Sequence, residues 1–187
     1  MNFNEIIHKC EKCNLHKNQK PLLDVAKKCK VMWVGLSAKK IKENDATDYI
    51  PLSPSTNTGK LIKEIEDMCP YVTTYKTNLV KCLPLNENKL RYPSIREMEL
   101  CFSNILIELK NISPQLVFLL GKQVQSAFEK HLNIKFQQNM NDFLYEIKYI
   151  NGINYISIHH PSYICVYKKS HRKIYINSVK NIIESFS

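Results

Sequence analysis

Three short apolar runs, each closing on a glycine or a polar residue and separated by stretches of helical periodicity, most constrain what this chain can fold into. They are Val31-Met32-Trp33-Val34-Gly35-Leu36, Tyr75 to Val80, and Leu116 to Leu120 running into Gly121. Runs of this length without polar alternation suit strands covered on both faces, and intervening helices supply the crossovers that parallel strands need. Leu61, Ile62, Ile65 and Met68 mark one helix behind a cap at Asn57 or Thr58. Ser94-Ile95-Arg96-Glu97 has capping-box spacing and opens another, whose apolar face carries Ile95, Met98, Cys101, Phe102, Ile105, Leu109 and Ile112. Helical patterns also run from Phe3 to Cys10, from Lys122 to about Leu132, and through Ile174, Val179, Ile182, Ile183 and Phe186. Phe143, Tyr145, Ile147 and Tyr149 alternate as one strand, and Asn151-Gly152 is a type I′ hairpin signal that pairs Ile153 to Ile158 back onto it. The expected fold class is α/β, a three-layer α/β/α sandwich around a mainly parallel four-stranded sheet, in a single domain over residues 1–187.

Charge narrows the partners. With 27 basic against 17 acidic residues the formal net charge is +10, which raises the surface potential and points to a polyanion, DNA or RNA before an acidic membrane. No apolar run approaches membrane-spanning length and Met1 to Lys9 has no signal-peptide core. A cytoplasmic monomer without a membrane partner is the expectation. Seven cysteines in a reducing compartment favour ligation over disulfides.

The stretch Thr77-Asn78-Leu79-Val80-Lys81-Cys82-Leu83-Pro84 joins two kinds of chemistry. In open α/β sheets ligands bind at the carboxyl edge, where Asn78 offers an amide that can read a flat polar ring and Cys82 a thiolate that can hold a metal. Cys10-Glu11-Lys12-Cys13 is a CxxC, and with Cys82 and Cys101 it makes four thiolates, enough for a tetrahedral zinc or the corners of a [4Fe-4S] cluster. Spacing alone leaves the metal open, and Cys101 also reads as a core residue; Cys29, Cys69 and Cys165 have no partner spacing. His160, before Pro161 at a strand's end, is placed to stabilise negative charge on a leaving group or, more plainly, to make a structural hydrogen bond. Lys168, Lys169, His171, Arg172 and Lys173 form a basic run suited to phosphates, though most charge runs are solvated faces. Tyr163-Ile164-Cys165-Val166 just before it reads equally as a wedge into base stacking or as core. The polar stretch Ser37 to Thr58 is long enough to be a functional loop.

Taken together the motifs resemble those of the family 4 uracil-DNA glycosylases, the iron-sulfur branch of that superfamily. The CxxC at Cys10 and Cys13 is similar to its N-terminal pair, Thr77 to Pro84 to its TNVVKCRP segment, and Glu97 with Cys101 to its ExxxC. Leu119-Leu120-Gly121 resembles its LG turn and His160-Pro161-Ser162 its HPS. The resemblance implies a [4Fe-4S] cluster on Cys10, Cys13, Cys82 and Cys101, Asn78 reading a flipped base and His160 stabilising the departing base anion. Gly35, Leu36 and Leu52 are then expected to border the base, Lys81 and Arg91 to approach phosphates, and Ser162, Tyr163, Lys168, Lys169 and Arg172, on the strength of the basic run, to meet DNA.

Two departures stand out. Where that family has GExPG this chain has Gly35-Leu36-Ser37-Ala38-Lys39, so Leu36 stands at the water-activating carboxylate. Where it has Pro-Phe this chain has Pro51-Leu52. Glu43 and Asp45, with Asp48, are then the candidate acids. The expected function is excision of a nonstandard base from DNA by hydrolysis of its N-glycosidic bond. Alternatives are a glycosylase for bulky modified bases such as those of phage DNA, serving antiviral defence; a catalytically silent iron-sulfur nucleic-acid binder; and a four-cysteine zinc module.

Overall fold

The computed structural model describes residues 3–41, 50–137 and 143–186. In chain order its elements are α1 (Phe3–His8), β1 (Val31–Ser37), α2 (Asn57–Asp67), β2 (Thr74–Val80), β3 (Leu85–Asn86), β4 (Lys89–Leu90), α3 (Ile95–Ile112), β5 (Leu116–Leu120), α4 (Lys122–Leu132), β6 (Ile147–Ile150), β7 (Ile153–Ile158), α5 (Pro161–Tyr167) and α6 (Arg172–Glu184). The three apolar runs become β1, β2 and β5. They lie parallel to one another and to β7 in a sheet of order β2-β1-β5-β7-β6.

The sheet therefore has five strands, not the expected four. The extra one is β6, laid antiparallel on β7 by the Asn151-Gly152 turn, where both residues take positive φ (50° and 84°) as a type I′ turn requires. It is shorter than the alternation from Phe143 suggests, because Phe143 itself sits at φ 51° and breaks the extended run. Residues 85–93 contain a second small hairpin. Glu87 (φ 46°) and Asn88 (φ 66°) turn β3 into β4.

Side-chain alternation along the strands divides the core into two layers. Met32, Val34, Tyr75, Val117 and Leu119 face one side and pack with Ile7 of α1, Phe102 and Ile105 of α3, and Val124 and Phe128 of α4. Val31, Trp33, Leu116, Phe118 and Ile156 face the other and meet Leu61, Ile62 and Ile65 of α2, Ile164 of α5 and Tyr175 and Val179 of α6. This is the α/β/α sandwich. Trp33 and Phe118, on neighbouring strands, stack with ring centroids 4.5 Å apart, an arrangement that contributes about 0.5–1.5 kcal/mol beyond the area it buries.

Helix starts follow local chemistry. Ser94 Oγ accepts from the Glu97 N–H and the Glu97 carboxylate accepts from the Ser94 N–H, completing the expected capping box. The cap of α2 falls one residue earlier than expected, on Thr56, whose Oγ1 accepts from Gly59 N–H at 3.0 Å. Among the described residues no helix is long and apolar enough to cross a membrane.

Candidate active site and cysteine recess

Parallel strands bring their carboxyl ends to one edge, and the pairing of β1 with β2 sets Gly35 opposite Asn78 there. A cavity of about 440 Å³ opens over this pair, lined by Leu36, Leu52, Asn78, Tyr92 and His160 among others. Gly35 is what lets the amide stand there: a Cβ at that position would lie 2.5 Å from Asn78 Oδ1 and 2.7 Å from Leu52 Cδ2. Asn78 is 3% exposed, and its side-chain amide makes no hydrogen bond within the described residues. Because Asn78 lines the cavity, that amide presents donor and acceptor groups to whatever enters it.

Leu52 forms the opposite wall with its backbone at φ 51°, a left-handed conformation that costs a leucine about 1–2 kcal/mol. Leu36 lies partly buried in the same wall, so the position where the resemblance expects a carboxylate is apolar. Lys39 and Pro51 both line the cavity. Glu43 and Asp45, like Asp48, lie outside the described residues.

His160 sits at the end of β7, where Leu120 of β5 pairs with Ile158. Gly121, at φ 86°, lets the neighbouring chain close on it, since a Cβ there would lie 3.1 Å from His160 Cβ. The imidazole caps α5: Nδ1 accepts from the Ser162 N–H at 3.3 Å and has Ser162 Oγ at 2.8 Å. A backbone N–H can only donate, so Nδ1 is an acceptor and the neutral ring carries its proton on Nε2. Burial holds the imidazole below its ordinary value of 6.5, which keeps the ring neutral at physiological pH. The site thus pairs an unpartnered amide with a neutral N–H donor. His159 faces away, as strand alternation requires, with Nδ1 2.9 Å from Tyr145 Oη.

Lys81 is not a phosphate contact. Its side chain is fully buried and ion-paired with the equally buried Glu108. Nζ also donates to Thr77 Oγ1 and, at 2.7 Å, to the Asn78 carbonyl. Glu108 in turn accepts from Thr77 Oγ1 at 2.9 Å and Tyr75 Oη at 3.0 Å. Burial and then the Glu108 carboxylate push the Tyr75 phenol well above its ordinary range, so it stays protonated and donates to Glu108. Two charges out of water persist because each is fully hydrogen-bonded. This network, directly behind Asn78, is a functional feature the sequence reading missed. The available signal was a glutamate on the apolar stripe of α3, one turn from Ile105 and Ile112.

The other charged candidates divide. Arg91 is tied to Glu97 by two hydrogen bonds and to the Tyr92 carbonyl by a third, so it braces the β4 to α3 connection. Arg172 forms a fork onto Glu64. Lys168 and Lys169 are exposed. Ser162 is occupied by His160. Of the two readings of the segment after it, Ile164 is core at 0% exposure, whereas Tyr163 and Val166 of the same helix are exposed at 40% and 50%.

Across Val80 from the cavity, Cys10, Cys13, Cys82 and Cys101 line one recess together with His16, Lys12 and Asn104. The recess is dry. Burial, reinforced by the charges of Cys101, Cys13 and Cys10, pushes the Cys82 thiol up to about 12, so thiolates would form there only with compensating positive charge. Donors are already aimed at the sulfurs: Asn104 Nδ2 at Cys10 Sγ (3.4 Å) and Cys101 Sγ (3.7 Å), and the Lys81 N–H at Cys101 Sγ (3.5 Å). Such bonds to sulfur are how a protein tunes a bound iron-sulfur centre. Among the described residues no three His, Cys, Asp or Glu side chains converge closely enough to hold a single ion as they stand. The other three cysteines lie elsewhere: Cys29 and Cys69 are core, and Cys165 sits on α5.

A doubly covered parallel sheet thus brings an amide and a neutral imidazole together at its carboxyl edge. The chain belongs to the uracil-DNA glycosylase superfamily, whose model matches residues 19–181. It is 24% identical over 191 residues to a type-4 uracil-DNA glycosylase of Archaeoglobus fulgidus, covering 95% of this chain and 88% of that one. The crystal structure of wild-type Pedobacter heparinus SMUG2 superposes with a TM-score of 0.60 over 91% of this chain and 79% of that one, at 15% identity. The last likeness speaks to the fold.

Proposed function

We propose that this glycosylase binds a flipped, nonstandard base in the cavity over Gly35 and cleaves its bond to C1′ of the deoxyribose. The observation that carries the reading is the Asn78 amide, which lines the cavity without a side-chain hydrogen bond among the described residues and stands opposite a glycine that clears space for it. An amide presents one donor and one acceptor, matching the paired acceptor and donor on the edge of a pyrimidine such as uracil. Flipping is required because that edge is hidden in the base stack.

As the C–N bond breaks, its electron pair leaves with the base and the sugar takes on positive charge. Negative charge gathers on the base, where the Nε2–H of His160 would be the donor held ready for it. A neutral donor suits this role because it need not surrender a proton. Water then attacks C1′ and loses a proton. With leucine at position 36, the acceptor is assigned to Glu43 or Asp45, on the stretch that connects the cavity residues Lys39 and Pro51.

Four cysteines on one recess with hydrogen-bond donors to their sulfurs fit a [4Fe-4S] cluster on Cys10, Cys13, Cys82 and Cys101. When bound, the cluster would cross-link the N-terminal segment to the end of β2. That segment already packs there, with Leu22 N–H donating to the Lys81 carbonyl at 2.9 Å and Asn18 Nδ2 to the Leu83 carbonyl at 2.9 Å.

A second reading is favoured by Leu52. Leucine at that position offers no ring to stack on a small pyrimidine, and a cavity of about 440 Å³ admits a base with a bulky substituent. The deciding experiment incubates the protein with DNA carrying uracil, or one of a series of modified bases, and identifies released bases by mass spectrometry. Release of free base, abolished in His160→Ala, supports the reading; uracil against a larger base decides between the two substrates. No release from any substrate overturns both.

A further inference from the structure

Next to the base cavity lies a second depression of about 670 Å³, between the β4 to α3 connection and α5. Leu36, Tyr92 and His160 line both, so the two are continuous. Its walls are aromatic. Tyr92 and Tyr167 are each 74% exposed and Tyr163 is 40% exposed. Tyr163 and Tyr167 stand one turn apart on α5 with ring centroids 5.5 Å apart, and the His159 ring lies parallel to Tyr163 at 6.1 Å. The row is anchored at its inner end by Tyr145 Oη on His159. Exposed aromatic rings that are already ordered side by side offer π faces without the usual entropy cost of fixing them. Lys122 lines the floor and the exposed Lys168 and Lys169 follow the row, so the groove combines ring faces with positive charge on a chain of net charge +10. That combination suits an unpaired nucleic-acid strand, whose bases stack on rings while lysines follow its phosphates. A duplex keeps its bases stacked on each other and offers no faces to these rings.

We propose that the Tyr92–Tyr163–Tyr167 groove is a stacking platform for unpaired bases adjoining the flipped nucleotide, which makes single-stranded DNA the preferred substrate form. The proposal rests on the reading of the adjoining cavity as the base site, but its test does not need that site to act. Full-length protein is titrated into a fluorescein-labelled single-stranded oligonucleotide containing only ordinary bases, and into the matching blunt duplex, over a range of salt. Replacing both α5 rings, Tyr163→Ala with Tyr167→Ala, is expected to weaken single-strand binding by about 10- to 100-fold. Duplex binding should change far less, and the slope against salt not at all, because no charge is removed. Tyr163→Phe with Tyr167→Phe keeps the rings and should bind as the parent does. Equal losses on both DNAs, an unaltered alanine variant, a phenylalanine variant as weak as the alanine one, or a parent that binds no single strand would each overturn the platform. Ring-dependent binding in a protein that releases no base would leave the platform standing and remove the excision reading instead.

Discussion

The cysteine recess and the base cavity grow from the same few residues of one strand end, yet they are built to different degrees. The recess brings together four thiols, with an asparagine and a backbone N–H aimed at sulfur, beside an N-terminal segment hydrogen-bonded to the strand end. At the cavity Ser162 holds the imidazole and the amide faces the opening, but Leu36 and Leu52 stand where the family resemblance expects a carboxylate and a ring. The difference teaches that scaffold and pocket can change separately. What holds the strand end in position is paired by short, saturated interactions, whereas what selects the base is a surface of side chains that can be exchanged without disturbing them.

The sharpest way to break that separation is to cut the link between the two halves. Lys81→Met would strand the Glu108 carboxylate in the core and is expected to destabilise the protein by about 3–5 kcal/mol, read by urea denaturation. Adding Glu108→Leu should restore part of the loss. A single variant as stable as the parent would show that the buried pair does not support either recess. Next in size, Asn78→Ala is expected to lower kcat/KM by about 5- to 150-fold, the worth of about 1–3 kcal/mol of hydrogen bonding, while leaving the iron content and denaturation midpoint unchanged. Cys101→Ser should do the reverse, removing visible absorbance and stability before it alters which base is released. A swap of these outcomes would refute the division of labour.

Smaller effects come from pH. Burial depresses the His160 imidazole below 6.5, so activity that depends on the neutral ring should be flat across neutral pH and fall on acidification beneath that value. Protonating Nδ1 would also set two N–H groups against each other at the α5 cap, so the same titration weakens the fold as pH falls. His160→Asn should abolish this acid limb along with most activity. Least of all, Arg91 and then the Ser94 backbone hydrogen bond hold the Glu97 carboxyl at about 2 against an ordinary 4.5. The stability from that capping box is present above about pH 4.5 and is lost as pH falls toward 2. In Arg91→Ala the midpoint of acid unfolding should move upward.

Legibility followed range. The capping box at Ser94, the Asn151-Gly152 turn and the apolar strands were readable because their causes lie within a few residues. So was the meeting of Cys10, Cys13, Cys82 and Cys101 in one recess, because the family resemblance singles out those four. The burial of Lys81 was not, since its cause is a glutamate 27 residues on, and a lysine beside a basic surface reads as a phosphate contact until that partner is seen. The β3 to β4 hairpin escaped for the opposite reason: Glu87 and Asn88 adopt left-handed backbone without a glycine to announce it. The fifth strand was visible as a hairpin partner but not as an edge of the main sheet, because strand order is not written in local pattern.

The buried Lys81–Glu108 pair has a further consequence, for alignment. Sliding β2 two residues along β1 would keep the same faces inward and still satisfy most backbone bonds. Such a slip would draw the ammonium about 7 Å from its carboxylate and leave both charges dry and alone. The pair therefore acts as a detent on the strand, admitting one alignment out of several that greasy packing would tolerate. In that alignment alone the amide comes to rest opposite the one residue of β1 with no side chain to block it.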